Sequence, residues 1–317
     1  MNRTTKITGL FNIRYPLVQG GMVWCSGWRL AAAVSNCGGL GLLGAGSMHP
    51  DTLQEHLQKL KAATSRPFGV NVPLFYPEIG AIMDIIAAAQ TPVVFTSAGS
   101  PKTWTGWLHQ RGIVVAHVVS SALFAVKCEQ AGVDAVVAEG FEAGGHNGRE
   151  ETTTMALIPA VRRATALPLL AAGGIGSGRA MLAAIALGAD GVQIGSRFAI
   201  SQESSAHPAF KDMVIKSGEG ATMLALKKLS PVRLLRNEFF AQVSAAEKQG
   251  ASEPELATLL GKGRAKLGMF DGDLVNGELE IGQVAALFDD VPTVSDIMSA
   301  ILSEYETARC EMNNLSL

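Results

Sequence analysis

The sequence predicts a (β/α)8 barrel, and three observations support that fold class. Eight short apolar runs lie between residue 17 and about residue 200, and patterns typical of helices separate them. Runs that are apolar throughout, without alternation, are typical of strands buried on both faces of a parallel sheet. A doubly wound open sheet is the alternative, but the count of eight favours the barrel.

The predicted strands follow one another at short spacing. In chain order they are LVQ from residue 17, LGLLG from 40, FGVNV from 68, PVVFT from 92, IVVAHVV from 113, AVVAE from 135, PLLAAGG from 168 and GVQIG from 191. The segments between them, such as GWRLAAAVSNCG and SALFAVKCEQAG, place apolar residues at i, i+3 and i+4 and end at glycine. That spacing and that ending predict amphipathic helices.

The strand-helix rhythm ends near residue 201. The chain from there to about residue 285 is more polar and helix-prone, and TVSDIMSAILSEYETA then restores an amphipathic pattern. We therefore predict a barrel built from residues 1–200 and 286–317. Residues 201–285 are predicted to form a smaller substrate-side insertion over the barrel mouth.

Composition excludes several classes of function. The net charge of -2 over 317 residues predicts neither nucleic-acid binding nor a polybasic membrane protein. No apolar stretch reaches membrane-spanning length, and the N-terminus lacks a secretory apolar region. The four cysteines lie far apart without metal-binding spacing, which suits a reducing compartment. We expect a cytoplasmic protein without a metal, with a homodimer as its candidate assembly.

The 35 glycines cluster, and two clusters follow the seventh and eighth predicted strands. In barrels of this class these two loops commonly hold a phosphate. Gly173, Gly174, Gly195 and Ser196 would offer unhindered N–H groups, aided by the N-termini of the helices that follow. Two ordinary strand-to-helix turns are the alternative. GGLGLLG matches a dinucleotide fingerprint in form only, because a helix pattern precedes it.

The segment EAGGHNG follows the sixth predicted strand, so His146 is predicted to stand at the mouth where barrels place catalysis. Its neighbours Gly144, Gly145 and Gly148 would let the backbone approach a flat ligand closely. Histidine titrates near neutrality and can give or take a proton. The alternatives are a surface histidine or a core histidine with a satisfied ring.

Four further polar side chains lie on predicted barrel strands, and an amide or acid there needs a partner. They are Gln19, Asn71, Glu139 and Gln193. Together with a phosphate site, they suit a polar heteroaromatic ring with a phosphate tail, which describes FMN. Among the other histidines, His117 reaches the mouth or has a structural role. His207 carries less weight, and His49 and His109 are predicted at the surface.

In this order, YPLVQGGM, AAAVSNCGGLGLLGAG, PFGVN, AEGFEAGGHNG, LLAAGGI and VQIGSRF closely resemble the FMN barrel family of nitronate monooxygenases and flavin-dependent enoyl-ACP reductases. The resemblance covers residues 9–210 most strongly. It continues through ESSAHPAFK, SPVRLLRN and GELEIGQVAALF, which look more like the reductase branch, the FabK-like type.

The resemblance implies residues for each role. Those implied to hold FMN are Gly20, Gly21, Met22, Asn71, Gly173, Gly174, Gly195 and Ser196, with Glu139 as a further polar contact. His146 would face the reacting side, and Ala143, Gly144 and Gly145 would contact substrate or NAD(P)H. Asn147 replaces the basic or aliphatic residue expected in that slot, so the fit of the substrate differs there.

The resemblance leaves two activities open, and a third possibility lies outside enzymes. A reductase would move hydride from NADH or NADPH through FMN to the β-carbon of an enoyl thioester on acyl carrier protein. A nitronate monooxygenase would oxidise an alkyl nitronate with dioxygen and need no nicotinamide. A flavin-binding protein without turnover is the third hypothesis, and the polar groups converging on one mouth count against it.

A basic cluster stands out in a slightly acidic chain. Lys227, Lys228, Arg233 and Arg236 lie within ten residues of the predicted insertion. A solvated helix face is the ordinary interpretation of such a cluster. Above a barrel mouth, however, these charges would attract NAD(P)H or an acidic acyl carrier protein. We therefore predict Arg233 and Arg236 as contacts for one of these anionic partners.

Overall fold

The computed structural model describes residues 5–314, and a closed parallel barrel dominates it. The strands are, in chain order, β1 (Leu17–Gln19), β2 (Gly41–Gly44), β3 (Phe68–Pro73), β4 (Val93–Ser97), β5 (Val114–Val119), β6 (Ala135–Glu139), β7 (Gly145–His146), β8 (Leu169–Ala172), β9 (Gly191–Ile194), β10 (Thr222–Ala225) and β11 (Val232–Leu235). Eight of them pair in parallel in the order β1-β9-β8-β6-β5-β4-β3-β2. A bridge between Val18 and Leu40 closes the ring. The eight predicted strands and the (β/α)8 barrel are confirmed.

Helices surround this barrel and form part of the 201–285 segment. They are α1 (Lys6–Phe11), α2 (Trp28–Asn36), α3 (Pro50–Ala63), α4 (Ile79–Ala88), α5 (Thr105–His109), α6 (Ala122–Gln130), α7 (Thr154–Ala164), α8 (Gly178–Ala186), α9 (Ser196–Ala199), α10 (Pro208–Ile215), α11 (Glu238–Lys248), α12 (Glu253–Leu260) and α13 (Val294–Asn313). Helices α10, α11 and α12 belong to the 201–285 segment. Helix α13 packs between α8 and α2 and so completes the outer layer. No helix within residues 5–314 is long and apolar enough to cross a membrane.

The glycines of GGLGLLG serve close packing of the barrel wall. A Cβ at Gly41 would lie 1.9 Å from the carbonyl oxygen of Ala31 in α2, and one at Gly44 would lie 2.4 Å from that of Met22. Backbone atoms cannot move aside as a flexible side chain can. The segment is strand β2 with a helix before it, so it is not a dinucleotide fingerprint.

Apolar side chains fill the barrel from within. Ile7 and Phe11 of α1 join Val18, Phe95 and Leu170 in one buried cluster. Because the interior is packed, ligands have room only at an end of the barrel.

The 201–285 segment contains strands as well as helices, although the sequence suggested helices. Strands β10 and β11 form an antiparallel pair, and β11 also pairs with β7 from the loop after β6. Helices α11 and α12 cover this sheet with Phe239, Val243 and Leu256. The 201–285 segment is therefore joined to the barrel mouth through the strand that carries His146.

Candidate active site

A cavity of about 1400 Å³ opens at the carboxyl ends of the barrel strands, and residues of the 201–285 segment form its other wall. Pockets for single small ligands are typically about 300–1,000 Å³, so there is room for a cofactor and a substrate together. Of the residues predicted for the site, those that line the cavity are Gly20, Gly21, Met22, Asn71, Glu139, Ala143, Gly144, Gly145, His146, Gly173, Gly174, Gln193, Gly195 and Ser196.

The loop after β8 has the geometry of an anion cradle. Gly173 and Gly174 have φ of +89° and +69°, in the left-handed region that favours glycine. A Cβ at Gly173 would lie 2.5 Å from the carbonyl oxygen of Gly140. The N–H groups of both glycines make no backbone hydrogen bond among the described residues. Two free amides lining a cavity fit the phosphate of a cofactor.

The loop after β9 contributes less than the sequence suggested. Helix α9 is a single turn of four residues, so the helix dipole expected there is small. The Ser196 hydroxyl accepts a hydrogen bond from the Gly282 N–H at 2.9 Å and still has its own proton to donate. Phosphate binding at this mouth therefore depends on glycine amides and one hydroxyl.

Gln19 does not line the cavity, which corrects its assignment as a cofactor contact. Its side chain is fully buried and its amide is satisfied by the protein. The Nε2 donates to Ser26 Oγ at 2.8 Å, and Oε1 accepts from the Leu42 N–H at 3.0 Å. Gln19 thus ties β1 to β2 where the barrel closes. Asn71 does line the cavity, and its Nδ2 donates to the carbonyl oxygen of Gly21 at 3.3 Å.

Glu139 ends β6 with its carboxyl group in the cavity. Burial raises the pKa of Glu139 to about 7, and no charge or hydrogen bond from residues 5–314 opposes that shift. Buried polar groups in native proteins almost always have a partner. A ligand ring that carries N–H groups would supply one, so Glu139 fits the polar ring of a flavin.

His146 stands on the short strand β7, in register with Val232 of β11. The glycines around it permit close backbone approach, since a Cβ at Gly144 would lie 2.4 Å from the carbonyl carbon of Ile281. The ring has an exposed side toward the cavity, while protein surrounds the rest. Burial lowers the pKa of His146, and the nearby charge of Glu278 partly opposes this. The imidazole is therefore mostly neutral at neutral pH.

Sequence reasoning missed two acids beside His146. Glu278 and Glu280 both line the cavity, and Glu278 is only 7% exposed. Burial and the charge of Glu280 raise the pKa of Glu278 to about 7, and burial raises the pKa of Glu280 to about 7. The alternation in GELEI is typical of a strand with one face toward a ligand. That alternation was the signal that could have found them.

Comparison with known proteins places this site in a family. The model of the nitronate monooxygenase family matches residues 4–91 and 80–304. The chain belongs to the nitronate monooxygenase family. It is a flavin-dependent oxidoreductase. The third hypothesis, a flavin-binding protein without turnover, is therefore set aside.

Three relatives show the breadth of chemistry around this family member. The structure of FabK from Thermotoga maritima superposes with a TM-score of 0.93 at 38% identity, covering 98% of this chain and 99% of that one. A probable nitronate monooxygenase of Staphylococcus saprophyticus is 32% identical over 77% of this chain and 82% of its own length. A 5-hydroxy-7a-methyl-1-oxo-octahydro-1H-indene-4-carboxyl-CoA dehydrogenase of Rhodococcus jostii is 30% identical over 95% of both chains.

Four more histidines of this family member have structural or surface positions. His117 lines the cavity from β5, but it is 4% exposed and its Nδ1 lies 2.6 Å from Thr96 Oγ1. Burial lowers the pKa of His117 to about 4, so this ring stays neutral. His207 caps α10 by accepting from the Ala209 N–H. His49 and His109 lie at the surface near Glu78 and Asp134, as predicted.

The predicted basic cluster does not form a patch at the mouth. Arg233 is 2% exposed, and its Nε and Nη2 donate to the carbonyl oxygen of Phe141 at 3.0 and 2.8 Å. This corrects its assignment as a substrate contact, because β11 lies between β10 and β7 and all of its residues are buried. Lys227 pairs with Glu151, Lys228 donates to backbone carbonyls, and exposed Arg236 lies outside the cavity lining. The cations that line the cavity are Lys102, Lys127, Arg264 and Lys266.

Proposed function

We propose that this oxidoreductase reduces the 2,3 double bond of an enoyl thioester carried by acyl carrier protein, with NADH or NADPH as the source of hydride. The observation that supports this proposal most strongly is a pair of acids, the buried Glu278 and the half-buried Glu280, that lines the cavity beside His146. The likeness to FabK of Thermotoga maritima and to a dehydrogenase of a CoA thioester supports the same class of substrate.

The acids distinguish between the two activities by charge. A nitronate is an anion, and above neutral pH it would meet the carboxylates of Glu278 and Glu280. The charge of Arg264 offsets that of Glu278 only in part. Like charges repel strongly in a partly desolvated site. An enoyl thioester is neutral at its reacting atoms and is not repelled. It also needs a proton after hydride addition, which an acid with a raised pKa can supply.

FMN is the cofactor that fits the residues at the mouth. Gly173, Gly174, Gly195 and Ser196 would hold one phosphate, and the absence of a dinucleotide fingerprint argues against FAD. Asn71, Glu139 and Gln193 would meet the polar edge of the ring. When bound, FMN supplies the hydride chemistry that side chains lack.

The protein's own residues position the substrate. The neutral imidazole of His146 can donate an N–H to the thioester carbonyl oxygen, where negative charge develops when hydride reaches C3. Met269, Ile281 and Val284 contribute apolar surface to the cavity wall from the 201–285 segment. They would cover the acyl chain and limit water near the reacting carbons.

Oxidation of nitronates is the second candidate, and the family match and the Staphylococcus saprophyticus relative favour it. His146 would then act as the base when a neutral nitroalkane is the substrate. The test is steady-state turnover with each substrate. We expect NAD(P)H oxidation that depends on crotonyl-ACP. Oxygen consumption with propane nitronate and no nicotinamide, without thioester reduction, would favour the alternative.

A further inference from the structure

We propose that Glu278 and Glu280 act as one acid–base pair that gives the substrate its proton, while His146 holds the carbonyl. This inference rests on the proposed function and adds the source of the proton to it.

The backbone fixes both carboxylates on the same wall of the cavity. Leu279 between them is fully buried on the opposite side, and its carbonyl oxygen accepts from the Leu235 N–H at 2.8 Å. Glu280 forms a β-bridge with Leu234 of β11, two residues after Val232, which pairs with His146. Because side chains alternate along an extended strand, residues 278 and 280 face the same way.

Both acids, Glu278 and Glu280, lie close to His146. A Cβ at Gly145 would lie 2.5 Å from Glu280 Oε2, so this carboxylate rests against the backbone of the residue before His146. Glu278 is near enough for its charge to oppose the lowering of the His146 pKa by burial. The absence of a side chain at Gly145 thus makes room for an acid.

No neighbouring cation pairs with either carboxylate in the described part of the chain. Arg264 lines the cavity, and its guanidinium donates to the carbonyl oxygens of residues 259, 260 and 276 and stacks on Phe239. Its charge lowers the pKa of Glu278, but by less than burial and the charge of Glu280 raise it. Lys266 lies 4.0 Å from Asp271, and Lys211 donates to the carbonyl oxygens of Ser201 and Ser204.

The remaining ionisable groups near the pair add no positive charge. Burial raises the pKa of Cys25, above all other causes, to about 12, so its thiol stays neutral. Glu139 is a further acid lining the cavity, and burial raises its pKa to about 7. Two carboxylates in one partly desolvated site cannot both ionise easily, so the pair retains a proton near neutrality.

The chemistry of the step needs such a donor. When C3 of the enoyl thioester accepts hydride, the electron pair of the double bond moves toward C2 and the carbonyl oxygen. C2 then takes the proton of the carboxyl group, which leaves a carboxylate and a saturated thioester. Water in the open cavity restores the proton. His146 is less suited to this step, because the lowered pKa leaves little imidazolium at neutral pH.

The test compares Glu278→Gln, Glu280→Gln and the double variant with Glu253→Gln, an exposed acid outside the cavity lining. Glutamine preserves shape and removes the acid. We expect the double variant to keep its flavin and lose roughly 10²-fold in kcat, within the usual range for a general acid. The control should keep the wild-type kcat.

The pH profile separates proton transfer from a structural role. Wild-type kcat should fall as pH rises through about 7, where the acid form is lost. This fall is the alkaline limb of the pH profile. In Glu280→Gln this limb should move to lower pH, because the charge that raises the pKa of Glu278 is gone. A structural defect would lower the whole profile without moving the limb.

Stability gives a measurement independent of turnover. Since burial raises the pKa of both acids in the folded state, the folded protein binds more protons than the unfolded chain between about pH 4.5 and pH 7. Wild-type stability should therefore fall as pH rises through that range. The double variant should lose part of this dependence.

The two hypotheses fail in different ways. If wild-type enzyme reduces no enoyl thioester, the proposed function is wrong. If it does, and the double variant keeps the wild-type kcat and an unmoved limb, the pair is not the proton donor. A double variant with lowered kcat, retained flavin and no limb near pH 7 supports the proposal.

Discussion

The two walls of the cavity differ in the chemistry they offer. The barrel side presents glycine amides and polar side chains at strand ends, with Glu139 as its half-buried acid. The 201–285 segment presents Glu278, Glu280 and apolar residues, and through β11 it holds His146 in place. The barrel wall thus has the features of a cofactor site, and the opposite wall those that select and protonate a substrate.

The largest effect should come from the residue that joins the two walls. His146→Ala should keep the flavin, because the glycine cradle is unchanged, and lose roughly 10²–10³-fold in kcat, the usual cost of removing a donor to a developing oxyanion. The measurement is steady-state kinetics together with the flavin spectrum. His49→Ala, at an exposed histidine, is the control. Wild-type kcat in His146→Ala with a normal flavin spectrum would separate the histidine from the chemistry.

A substitution in the barrel wall should instead affect the cofactor. Gly173→Ala places a Cβ 2.5 Å from a carbonyl oxygen at a φ of +89°, a strain of about 1–3 kcal/mol. We expect flavin affinity to fall by about tenfold or more, since 1.4 kcal/mol corresponds to tenfold in binding. Gly80→Ala, where a Cβ meets open space, is the matched control. Flavin content after gel filtration checks both variants, and equal content would show that the loop does not bind the phosphate.

A third comparison concerns how the walls are held together. Arg233→Ala removes a buried guanidinium and leaves the Phe141 carbonyl without its donor, which typically costs about 1–3 kcal/mol. Its melting temperature should fall by several degrees. Arg236→Ala, at an exposed position, should leave it unchanged. Equal melting temperatures for the two variants would mean that Arg233 does not connect β11 to the barrel loop.

The smallest effect should come from the cations at the cavity entrance. Lys102 and Lys127 line the cavity where an anionic nucleotide or acyl carrier protein would approach. The double change to glutamate should raise KM a few-fold at low salt, with the difference shrinking as salt increases, because screening weakens such attraction. Lys61→Glu, an exposed lysine on α3, serves as control. A KM that does not respond to either the charges or the salt would exclude steering by these lysines.

The sequence predicted the barrel better than the wall that faces it. Unbroken apolar runs such as AVVAE can be satisfied only inside a parallel sheet, so local pattern determines those strands. Strand β7 has two residues, and its partner lies more than 80 residues later, so no periodicity reveals it. Arg233 looked like a surface charge because only its pairing with β7 shows that it is buried.

Gln19 illustrates the same limit in the barrel itself. A polar residue at the end of an apolar strand must find a partner, and the sequence does not say whether that partner is a ligand or the neighbouring strand. The Leu42 N–H and Ser26 provided it here. Glu278 and Glu280 were readable as an alternating pair, yet their cavity-facing position follows from tertiary pairing with β11.

The most direct test of the central claim is the anaerobic reaction of the bound flavin. If the enzyme is an enoyl thioester reductase, NADH or NADPH will bleach the flavin absorbance without oxygen, and crotonyl-ACP will then restore it with formation of butyryl-ACP. Bleaching by propane nitronate and not by either nicotinamide, with no recovery on adding crotonyl-ACP, would contradict the account.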